Sequence, residues 1–175
     1  LYYVFYILFV WFTQISIQGF APNYFWADGS RIDHYAVVFF STIGLTVASL
    51  FTISFLNTKV FSPLLHKAII FYIALTLLNI GILIVFDTYI SFISMQILTM
   101  AGAFLATYAS YFVYFKKHFK PAGYYLIAWS ILILGAILFV MKDYGIIPYN
   151  NFTIYLMQIS SAIEVMLLSF ALADK

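Results

Sequence analysis

Residues 151–175 read NFTIYLMQISSAIEVMLLSFALADK, a stretch that is apolar throughout yet holds one acid, Glu164, in its interior. About 20 residues of helix cross the hydrocarbon core of a bilayer, so this segment is long enough to span it. Glu164 falls about 13 residues, or roughly 20 Å of helix rise, beyond Asn151. That depth is near the membrane midplane, where a charged side chain is costly and turns away from lipid. At about 100° per residue, Ser160, Ser161 and Glu164 share one arc of the helix, with Gln158 at its margin, and this arc is expected to face protein.

The whole chain has the same character. Its 175 residues are 65% hydrophobic and 8% charged, whereas a soluble domain has roughly 45–50% apolar and about 25% charged residues. We therefore read an integral membrane protein of the all-α class, a polytopic transmembrane bundle forming a single domain over 1–175. Six spans are expected, at about 2–20, 34–56, 68–86, 90–115, 122–141 and 151–173. The turn-rich loops between them leave no room for a soluble domain. All four prolines, Pro22, Pro63, Pro121 and Pro148, fall in those loops. The last span is thus expected to be one continuous helix.

The loop cations set the orientation. Six spans put both ends on one side, together with Lys59, Lys67, Lys116, Lys117, Lys120 and Lys175, while Arg31 and Lys142 lie on the other. The lysine-rich side is expected to be cytoplasmic. The last helix then runs from outside to inside, in the inner (plasma) membrane. The aromatic run Tyr24, Phe25 and Trp26 in the first outer loop suits headgroup depth. Small residues recur at i, i+4, i+8 in Gly102, Ala106 and Ser110 and in Gly44, Ala48 and Thr52, the spacing that lets helix backbones approach.

Several chemistries are excluded. The chain has no cysteine, which removes thiolate metal sites. Its three histidines, His34, His66 and His118, are divided between the two membrane faces, so zinc or bis-His haem cannot be held at one depth. Every lysine is at a membrane edge, which disfavours a retinal Schiff base. Nucleophile-elbow and P-loop patterns are absent. We expect no catalytic residues, no cofactor and no nucleic-acid partner; the lipid bilayer is the first partner. For Glu164 three roles stay open: a hydrogen bond that locks packing, a switch between two bundle states, or a proton or ion path. Asn79 and Gln96 are candidate partners for it.

Four stretches, GFAPNYFW (19–26), KPAGYYLIAWSILILGAILF (120–139), GIIP (145–148) and QISSAIEVMLLSFALADK (158–175), together resemble the membrane region of bacterial seven-transmembrane receptors with diverse intracellular signalling modules. The resemblance implies that these six spans are the last six of seven. Leu1 is not an initiator methionine and the chain stops directly after an apolar helix, so sequence is expected on both sides. The family places an extracellular sensor domain before the bundle and a kinase, cyclase or other cytoplasmic module after it, in two-component and related signalling. The resemblance thus implies a signal-transmitting module without catalysis of its own, for which a homodimer is one compatible assembly. The alternative is a small-molecule transporter or channel subunit with the Glu164 arc lining a path.

Overall fold

The computed structural model describes residues 1–25, 31–85, 88–143 and 145–174. Among these the regular elements are all helical: α1 (Tyr2–Ile17), α2 (Ala21–Tyr24), α3 (Arg31–Phe55), α4 (Thr58–Phe61), α5 (Pro63–Val85), α6 (Thr88–Lys117), α7 (Pro121–Asp143), α8 (Asn151–Ile154) and α9 (Leu156–Ala173). Five described segments are long and apolar enough to cross a membrane, within α3, α5, α6, α7 and α9. The expected first span is the apolar helix α1, whose 16 residues are shorter than these. The all-helical, multi-pass character of the chain follows.

Helix ends are set by local chemistry. Pro63 and Pro121 open α5 and α7 instead of lying in the preceding loops. The fixed φ of proline suits a first helical turn, where its missing N–H has no intrahelical partner to lose. α1 closes on Gly19, at φ +72°, with Gly19 N–H donating to Ser16 O (3.2 Å) and Phe20 N–H to Ile15 O (3.0 Å). That pair of bonds is a Schellman closure, which requires a left-handed residue best supplied by glycine. α6 extends to Lys117, making 30 residues, about 45 Å of helix.

The last span is not continuous. Asn150 caps α8 by accepting from Phe152 N–H (3.0 Å) and Thr153 N–H (2.9 Å), and its own N–H donates to Thr153 Oγ1 (2.9 Å). Thr153 Oγ1 also lies 2.9 Å from Pro148 O, which ties the GIIP turn to this first helical turn. The helix is then interrupted at Tyr155 (φ −95°, ψ 11°), and α9 starts at Leu156. The reciprocal cap at Asn150 accounts for the start of α8, whereas the break at Tyr155 involves no proline or glycine and left no breaker residue to read.

The chain divides into two compact units, residues 1–102 and 103–175. In the first, α1 packs on α3, α3 on α5, and α4 on α5. Phe12 and Phe40 stack at 4.9 Å between ring centroids, joining α1 to α3. Phe9 Cβ lies 3.5 Å from where a Cβ on Gly44 would stand, so the small face of α3 admits α1 there. Val38, Leu83 and Met95 form a buried apolar cluster. In the second unit α7 packs along α9. The short connection between these two helices makes them antiparallel neighbours.

Candidate functional site

The buried residues of α9 are Leu156, Ser160, Glu164, Leu168 and Ala171. Steps of four, four, four and three make one stripe of a helix. On α7, Ala122, Tyr125, Ala128, Trp129 and Gly135 are buried. At Gly135 the two helices are in close contact: a Cβ built there would overlap Ser160 Cβ and Oγ and lie 3.6 Å from Leu156 O. Glycine at this position is therefore required by Ser160, because any side chain would occupy its place.

Glu164 sits one helical turn beyond this contact. It is the ninth of the 18 residues of α9 and is 0% exposed. A carboxyl wholly removed from solvent in an apolar span is rare, and it biases whichever packing supplies it with hydrogen bonds. Of the neighbouring polar residues, Ser160 is buried, whereas Ser161 and Gln158 are half-buried. Ser161 Oγ donates to Gln158 O at 3.1 Å, within its own helix. Gln158 Oε1 and Trp129 Nε1 are buried without a hydrogen-bond partner among the described residues.

Asn79 bonds to three residues of its own unit. Its Nδ2–H donates to Thr42 Oγ1 (3.2 Å), and its Oδ1 accepts from Ser91 Oγ (3.2 Å) and from Ser94 Oγ. Thr42 Oγ1 in turn donates to Val38 O at 2.7 Å. One turn along, Thr46 and Thr76 bring their hydroxyls to 2.9 Å. α3, α5 and α6 are thus cross-tied by neutral groups, and Gln96 is exposed. The pairs Thr42/Thr46, Thr76/Asn79 and Ser91/Ser94, spaced by three or four residues, were the available signal: each puts two polar groups on one face of an apolar helix.

Ala106 and Ser110 are buried on α6, with Ser110 Oγ donating to Ala106 O (2.6 Å). Gly102 is half-buried beside the Tyr72 ring. On α3, Gly44, Ala48 and Thr52 are all buried. Tyr24 and Phe25 are exposed, and the Phe25 ring lies 6.1 Å from Trp11 and 5.9 Å from Phe12. Trp26 lies outside the described residues. His66 Nδ1 lies 3.3 Å from Thr58 Oγ1, a contact with α4.

The described residues thus form apolar helices in two compact units, the second holding a wholly buried acid one helical turn from the Ser160–Gly135 contact. Compared with known families, the sequence matches 7TM diverse intracellular signalling over residues 1–175. The chain belongs to this family. The match covers every element described above, so this is a multi-pass membrane protein of a signalling family. No curated protein and no solved structure matches it.

Proposed function

We propose that this chain is the signal-transmitting membrane module of a bacterial receptor. A ligand event on the outer side shifts the equilibrium between two packings of the bundle, and α9 carries the change to a cytoplasmic effector following Lys175. In this reading the helices are the last six of seven, in the inner membrane, with residues 1 and 175 on the cytoplasmic side. An extracellular sensor precedes Leu1, and the module is not itself an enzyme. The effector belongs to a two-component or related pathway.

The observation that carries the proposal is Glu164, fully buried at the middle of α9, one helical turn from the Ser160–Gly135 contact. A buried polar group that must keep its hydrogen bonds makes intermediate packings costly, so the contact favours discrete arrangements over continuous sliding. Family membership supplies the context, a membrane region coupled to intracellular modules. The break at Tyr155 sharpens the mechanism: the output rod is α9, starting at Leu156, and the capped turn 148–154 is a separate piece through which input reaches it.

Four glycines inserted directly after Lys175 in the full-length protein test the coupling. The insertion should abolish the effector's response to receptor stimulation while leaving membrane abundance unchanged. A retained response would exclude rigid transmission through α9. An uptake assay in liposomes addresses the transporter alternative, for which solute flux dependent on Glu164 would be decisive.

A further inference from the structure

Tyr72, on α5, is 6% exposed, and its hydroxyl donates to the main-chain carbonyl of Leu98 on α6 at 2.8 Å. In an α-helix that carbonyl is also the acceptor for the N–H four residues on, which belongs to Gly102. The same tyrosine fills the space a side chain at Gly102 would need: a Cβ there would stand 2.7 Å from Tyr72 Cζ. One side chain from a neighbouring helix therefore both requires the glycine and enters the ladder of hydrogen bonds at the glycine.

We propose that the Leu98–Gly102 turn is a bend point in α6, latched by the Tyr72 hydroxyl. Opening a backbone hydrogen bond inside hydrocarbon strands a carbonyl that water cannot reach, which is why spanning helices resist bending. At this turn Tyr72 supplies a replacement donor to the Leu98 carbonyl. Glycine adds backbone freedom, and helices bend where a side chain enters the i→i−4 ladder. Thr99, Thr107 and Ser110 also donate to ladder carbonyls, Met95 O, Ala103 O and Ala106 O, but from within α6, so these bonds do not couple the helix to a neighbour as the Tyr72 bond does.

The consequence for signalling rests on the receptor reading above, whereas the latch does not. In a receptor, α6 would bend or straighten at Gly102 as the Tyr72 bond forms or breaks. The latch is a positioning device; Tyr72 touches no substrate.

The test is amide exchange of the glycine-labelled full-length protein in lipid nanodiscs. Tyr72→Phe keeps the ring and removes the donor. Gly102 N–H exchange should slow by about fivefold, the factor corresponding to a net hydrogen bond of about 1 kcal/mol. Gly123 and Gly135 should be unchanged, as should all three glycines in a Ser110→Ala control. Unchanged or faster exchange at Gly102 in Tyr72→Phe, or an equal change at all three glycines, would overturn the latch. A second measurement does not depend on that variant. Gly102→Ala should lower the unfolding temperature when Tyr72 is present and be tolerated in a Tyr72→Ala background. An equal loss in both backgrounds would also overturn it. Failure of the latch leaves the glycine-insertion test of receptor function intact.

Discussion

The two compact units hold their helices together in opposite ways. In residues 1–102 the contacts between α3, α5 and α6 pass through side-chain hydrogen bonds, with Asn79 bonded to Thr42, Ser91 and Ser94. In residues 103–175 α7 and α9 are held by proximity, with Ser160 occupying the space that Gly135 leaves empty. The first arrangement uses neutral groups that satisfy one another. The second places an ionisable carboxyl one turn from the Ser160–Gly135 contact. A hydrogen-bonded node among neutral groups has one best geometry and little response to conditions, whereas a buried acid can be partnered in more than one way. This contrast is why we assign the stationary role to the Asn79 node and the moving role to α9.

The contrast can be broken from either side. The largest effect is expected for Gly135→Leu, which must expel Ser160 and separate α7 from α9. Overpacking of this kind costs about 3 kcal/mol, and equilibrium unfolding in detergent should show it as a loss of the folded form. Asn79→Leu comes next. It leaves the Ser94 and Thr42 hydroxyls without their amide partner, at about 1–2 kcal/mol. The same unfolding measurement should record that loss, while effector output per folded molecule stays unchanged. The smallest effect is expected for Thr46→Val. It removes the single hydroxyl contact with Thr76, worth about 0.6 kcal/mol between membrane helices, and a double-mutant cycle with Thr76→Val should return a coupling of that size. A Thr46→Val loss larger than the Asn79→Leu loss would invert the ranking and move the node to Thr76.

Much of the fold was legible because lipid imposes a simple length rule on apolar helices, and α3, α5, α6, α7 and α9 obey it. The boundaries were less so. Pro63 and Pro121 look like loop residues, but a proline at the first helical position is compatible with a helix, so α5 and α7 begin earlier than apolar content suggests. The interruption at Tyr155 was invisible for a different reason: it falls among helix-compatible residues, with no proline or glycine between Asn151 and Leu156.

At the site, helical periodicity groups Ser160, Ser161 and Glu164 on one arc, because period is an intrahelical property; Ser160 and Glu164 are buried there and Ser161 half-buried. It could not identify partners. Which residue of α7 meets Ser160 depends on the register between two helices, and no single-helix pattern encodes that. Asn79 illustrates the same limit. Its burial was foreseeable from an amide amid apolar residues, yet its bonds go to Thr42, Ser91 and Ser94, which only the packing of three helices brings together. Gly135 was the informative residue passed over: a glycine in mid-helix costs about 1 kcal/mol relative to alanine and usually has a packing reason.

The central claim is that Glu164 belongs to the moving contact, and basal effector output of the full-length receptor carrying Glu164→Gln tests it most directly. The amide is nearly isosteric and retains hydrogen-bonding capacity, so the bundle should fold. Output normalised to membrane abundance should shift severalfold without stimulation, because the balance between two packings changes. Output and stimulated response both indistinguishable from the parent protein would contradict the account and leave Glu164 as a packing residue.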